Sequence, residues 1–146
     1  FDEADFGGFL DLLPKTFDGH TLRHVVEVRN YTFKTPAFIA LARKAGVAIC
    51  YAEHETYTEI ADLTADFVYA RLQNGNEKLN AGYPPKALDA WAKRGKTWAV
   101  CGTPADLPRV DKTAPPKKPR DTFIYFGHEA KVLAPAAAMA LSERLK

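Results

Sequence analysis

Glu27 and Arg29 stand two residues apart in the segment 25–30 (VVEVRN), and the segment 67–73 (FVYARLQ) carries Arg71. If both segments are β-strands, side chains two apart share a face, so a carboxylate and a guanidinium meet where the dielectric is low. Glu27 could then work as a general acid or base while Arg29 and Arg71 hold an anionic or carbonyl-bearing substrate. The competing reading is a closed ion network whose members satisfy one another. A second carboxylate, Glu53, ends the segment 47–54 (VAICYAEH). Adjacent strands lie about 4.8 Å apart, so Glu53 either approaches Glu27 and forms an acid and base pair, or misses it and is solvated at the rim. Tyr51, Tyr69 and Tyr125 alternate onto the same face as core aromatics or as a stacking platform, and Asn30 joins the substrate-binding set beside Arg29.

Several chemistries are excluded. Ser142 is the only serine and lies in an Ala-rich stretch, so a Ser-His-Asp hydrolase has no credible nucleophile. There is no GxGxxG, no P-loop and no CxxC pair. The 20 Lys and Arg against 18 Asp and Glu leave +2, which gives no whole-molecule field for a nucleic-acid or membrane partner. Cys50 and Cys101 are too few for a disulfide framework, and neither a leader nor an apolar run of about 18 residues occurs, so a reduced, cytoplasmic protein is expected. His54 and His128 lack chelate spacing, so neither a metal nor a cofactor is expected. Cys50 is expected on the helix-facing side as a small core residue. The chain opens at Phe1 without methionine, which suggests processing or a fragment.

The elements that must position these residues follow from periodicity. Phe6, Phe9, Leu10 and Leu13 predict a helix over 2–13, stopped by Pro14. Thr35 as N-cap, Pro36 behind it and Gly46 as terminator frame a second helix. Strands are expected at 25–30, 47–54, 67–73 and 122–126, and the connection between the second and third shows no helical pattern. Pro84 and Pro85 open a helix that packs Trp91 and Trp98, and a last helix runs from Pro135 to Leu145. Residues 102–121, Pro-rich with Lys112, Lys117, Lys118 and Arg120, predict a flexible loop. Its charges lack interleaved aromatics, which favours a solvated loop. Combined with Arg29 and Arg71 they define the alternative function, a nucleic-acid or polyanion binding module.

Four strands separated mostly by helices predict a parallel sheet. Alternation groups Val25, Glu27 and Arg29, then Val47, Ile49, Tyr51 and Glu53, then Phe67, Tyr69, Arg71 and Gln73, then Phe123, Tyr125 and Gly127. Most of these faces turn polar towards the C-terminal end, as the interior of a barrel does. A complete eight-stranded barrel takes at least about 200 residues. The expected fold is therefore α/β of (β/α) TIM-barrel type, one domain over 1–146 with four parallel strands. The remainder of the barrel would come from a longer chain or from a second copy.

HVVEVRNYTF (24–33), AGVAICYAEH (45–54), TADFVYARLQNG (64–75) and TFIYFGHEAKVLAPAAAMAL (122–141) together resemble the YecE-like domain-of-unknown-function family. Its members are TIM-barrel proteins without an established activity, and these stretches look like the C-terminal half of the domain. The resemblance implies that the family's acidic and basic pair falls on Glu27 and Arg29, and its seventh-strand arginine on Arg71. This chain departs from the family at Asn30, where His is frequent, at Glu53, where Asp is frequent, and at Gly127 and His128, where an Asn pair is frequent. The resemblance implies a fold and no substrate.

Overall fold

The computed structural model describes residues 1–127 and 131–146. Helix α1 (Glu3–Asp11) begins at Asp2, whose carboxylate accepts the Asp5 N–H at 2.9 Å, and it buries Leu10. A hairpin follows that hydrophobic alternation does not register: β1 (Thr16–Phe17) pairs antiparallel with β2 (His20–Thr21). Asp18 and Gly19 at its turn have φ of 47° and 75°, the left-handed conformations that an Asp-Gly pair accepts in a two-residue turn.

Strand β3 (Val25–Val26) leads through a short 3-10 turn (Tyr31–Phe33) to α2 (Pro36–Ala45). The signals at both ends of α2 act as expected. Thr35 Oγ1 accepts the Phe38 N–H at 3.3 Å, and Gly46 takes φ 68° where a side chain would be strained. Then come β4 (Ala48–Ile49), β5 (Tyr51–Glu53), β6 (Phe67–Leu72), α3 (Pro85–Ala99), β7 (Asp121–Phe126) and α4 (Ala134–Leu145).

The pairings β3 with β4, β5 with β6 and β6 with β7 are all parallel. β4 and β5 flank Cys50, whose N–H continues the first ladder to the Val26 carbonyl at 2.9 Å. Segments 25–28, 48–53, 67–72 and 121–126 therefore lie side by side in chain order. The helices gather on one face of this sheet. There Val26, Val28 and Ile49 pack against Phe38, Ile39 and Ala42 of α2. Farther along the same face Tyr51, Val68, Ala70 and Leu72 pack against Leu88, Trp91, Trp98, Ala137 and Leu141. Gly95 lets α3 come close, since a Cβ there would lie 3.3 Å from Ile124 Cδ1. The opposite face is open, and the described residues form a mixed α/β fold without a closed barrel.

The connection between β5 and β6 contains no helix, as its sequence indicates. Residues 60–64 instead form a buried extended strap in the place of a crossover helix. A buried non-helical segment needs partners for its polar groups, and side chains provide them. Thr64 Oγ1 accepts the Ile49 N–H at 3.2 Å and donates to the Val47 carbonyl at 2.6 Å. Asp62, 2% exposed, accepts the N–H groups of Val110 and Asp111 at 2.7 and 2.9 Å. The Pro-rich segment holding those two residues has no helix or strand, yet it buries Leu107 and Arg120 and is tied to the strap. It is more anchored than its composition suggests.

Candidate functional site

Register decides which side chains meet. In these ladders Val25 sits beside Ala48, Ala52 beside Arg71, and Arg71 beside Tyr125. Paired residues in a parallel sheet point to one face, so the open face carries Glu27, Cys50, Ala52, Tyr69, Arg71 and Tyr125. Ile49, Tyr51 and Glu53 belong to the helix-covered face. The expected grouping of the second strand is therefore off by one residue. Tyr51 packs against Trp91 and Trp98, Glu53 is separated from Glu27 by the sheet, and Cys50 lies on the Glu27 side.

Glu27 is the centre of the open face. Its Oε2 accepts from Arg71 Nη1, and its Oε1 accepts from Arg29 Nε at 3.1 Å. Glu27 and Arg71 belong to strands separated by the 48–53 segment, about 10 Å apart by strand spacing. The small side chains of Cys50 and Ala52 on the intervening strand leave room for the two long ones to meet. Burial pushes the Glu27 carboxyl up, but the bond and charge of Arg71, and then those of Arg29, outweigh it and hold the pKa below the ordinary value. Glu27 is thus a carboxylate at neutral pH with both oxygens engaged. Burial, and then the Glu27 charge, pushes the Cys50 thiol up to about 12, which removes it as a thiolate nucleophile.

The guanidiniums keep one side to solvent. The Arg71 side chain is 35% exposed and that of Arg29 is 58% exposed. The Arg29 guanidinium lies 4.5 Å from the centre of the Tyr57 ring, which stacks on His54 at 3.8 Å. Below them Tyr69 and Tyr125 stack at 4.9 Å and make an aromatic floor. Asn30 is next to Arg29 and exposed, and its side-chain oxygen accepts the Thr32 N–H at 3.0 Å as the cap of the 3-10 turn. Tyr57 was not singled out from sequence because it lies in the irregular connection, where no period assigns it to a face. His128 lies outside the described residues.

Glu53 performs a different task on the covered face. Its Oε2 accepts from the Tyr83 hydroxyl at 3.1 Å and its Oε1 from Trp91 Nε1 at 3.2 Å. Burial raises its pKa, and the bonds from Tyr83 and Trp91 offset only part of the rise. Folded Glu53 holds its proton more tightly than the unfolded chain does. Its contribution to stability is therefore lost as pH climbs from the ordinary glutamate range through the raised folded pKa. Glu53→Gln stays neutral and lacks that loss, so the variant gains on the wild type across the window and the difference levels off above it. Denaturant titrations from about pH 4 to about pH 7 read this difference. A difference of opposite sign means that Glu53 is a stabilised carboxylate.

The basic loop lies at the other end of the strands: Arg120 immediately precedes β7, whereas Arg71 pairs with Tyr125 near its close. Among the described residues no group of three or more His, Cys, Asp or Glu is placed to hold a metal ion, and no helix is long and apolar enough to cross a membrane.

An open parallel sheet, helices on one face and a charged cluster at the strand ends on the other define an α/β protein with one candidate recognition face. The chain belongs to the family described as Protein of unknown function DUF72, which matches residues 2–146. No curated protein and no solved structure matches it.

Proposed function

We propose that the open face binds a small anionic or carbonyl-bearing metabolite at the C-terminal ends of the strands, with Arg29 and Arg71 as the charge clamps. The observation that carries this reading is the engagement of both Glu27 oxygens by two guanidiniums that remain partly exposed. Glu27 then serves as a fixed anion that aims the guanidiniums, which suits its lowered pKa better than proton transfer does. Tyr69 and Tyr125 supply the floor of the site. The strand ends are where α/β proteins gather ligand-binding groups.

The same reading takes the chain as half of a (β/α) TIM-type barrel. Parallel strands in chain order with all helices on one face support it, because a doubly wound sheet covers both faces. The remaining strands would come from a longer chain or a second copy. The unpaired thiols of Cys50 and Cys101 suit a reducing, cytoplasmic setting.

Thermal shift against a panel of small mono- and dicarboxylates and keto acids tests the site in the wild type, Glu27→Gln and Arg71→Ala. Ligands that stabilise the wild type are expected to lose about tenfold in affinity on Arg71→Ala, and less on Glu27→Gln, which misaims the clamps without removing them. Equal stabilisation of all three proteins contradicts the assignment.

A further inference from the structure

At the opposite end of the sheet from Glu27, a cavity of about 500 Å³ opens between the starts of the strands and the Pro-rich segment. Its lining includes Arg23, Arg43, Lys118 and Arg120, with Asp66 as the one carboxylate among the lining residues. Two of these cations are already engaged: Arg23 pairs with Asp121 at 2.7 Å, and Arg43 Nη1 pairs with Asp111. Lys118 and Arg120 have no carboxylate partner among the described residues.

Arg120 is the unusual member. It is only 5% exposed, and its guanidinium makes a single hydrogen bond, from Nη2 to the Pro116 carbonyl. Its Nε and Nη1 are buried without an acceptor, and so is Arg43 Nη2. A guanidinium cannot shed its charge, so a buried one with unmade bonds is costly unless an anion meets it. Three idle N–H donors on two arginines, with the Lys118 ammonium on the same cavity wall, match the several acceptor oxygens of one oxyanion.

We propose that this cavity is a second binding site, taking a phosphate-type oxyanion on Arg120, Arg43 and Lys118. The cavity has room for more than a bare phosphate ion, which suits the phosphoryl group of a small organic phosphate. The site is independent of the Arg29 and Arg71 clamps, which occupy the other end of the strands.

Calorimetric titration with inorganic phosphate and with glycerol 3-phosphate, at ionic strength held constant with chloride, tests it on the intact chain. Saturable binding is expected, weakened about tenfold by Arg120→Met and severalfold by Lys118→Gln, an exposed position that leaves the fold untouched. Arg120→Met removes a buried unpaired charge and is itself expected to fold. Tighter binding of glycerol 3-phosphate identifies an organic phosphate as the ligand, and equal binding identifies free phosphate. Absence of saturable binding overturns the proposal. So does an affinity that falls with Arg71→Ala and not with Arg120→Met or Lys118→Gln, because that places the anion at the other end of the sheet.

Discussion

Trp91→Ala is expected to destabilise the protein by about 3–5 kcal/mol, the usual cost of emptying a tryptophan site in a core. Trp91 is 1% exposed and sits between Tyr51, whose ring centre is 5.7 Å away, and Trp98 at 6.5 Å, with the Arg94 guanidinium 4.2 Å over its ring. Truncation also takes one of the two side-chain donors from Glu53. Trp91→Phe separates these effects, keeping most of the ring packing while losing the bond, and is expected to cost about 1–2 kcal/mol from the unmet acceptor alone. Because Trp91 and the Arg71 cluster lie on opposite faces of the sheet, Trp91→Phe should leave ligand affinity at the open face unchanged. Chemical denaturation together with the carboxylate panel reads both. A loss of affinity in a folded Trp91→Phe contradicts the separation of the two faces.

Asp62→Ala carries the second large effect, about 2–5 kcal/mol, because it leaves two buried backbone N–H groups without acceptors. Asp62 joins the strap to the Pro-rich segment, and one of the residues it holds, Asp111, pairs in turn with Arg43 beside the lower cavity. Its removal should therefore loosen the segment as well as weaken the fold. Hydrogen exchange at Val110 and Asp111 is expected to accelerate strongly, with Asp62→Asn intermediate because one of its two side-chain atoms is no longer an acceptor. Exchange at these amides as slow as in the wild type shows that the segment is held by other contacts.

Helix α2 was fully legible because Thr35, Pro36 and Gly46 act locally, and a cap needs no tertiary partner. The missing crossover helix was legible for the same reason, since no helical period runs through 54–65. The parity of the second strand was not. In VAICYAE both alternating sets are plausible, and Glu53 drew the polar end to the wrong side. The set that faces Glu27 is Ala48, Cys50 and Ala52, small residues whose value lies in the space they leave for Arg71. That space exists only once the third strand is in place.

Glu53 misled for a related reason. Its partners Tyr83 and Trp91 come from the loop and helix after β6, so no local pattern shows that its charge is met on the covered face. The Asp18-Gly19 turn, by contrast, carried a readable signal that the emphasis on apolar periodicity passed over. Glu27, Arg29 and Arg71 were found correctly because the two flanking strands have unambiguous alternation.

The most direct test of the Glu27 cluster is a carbon-13 titration of the Glu27 side-chain carboxyl by NMR in the wild type and in Arg71→Ala. A carboxylate clamped by two guanidiniums titrates below the ordinary glutamate value and moves up when Arg71 is removed. A Glu27 that titrates at or above the ordinary value in the wild type, and is indifferent to Arg71→Ala, contradicts the clamp and the anion site built on it.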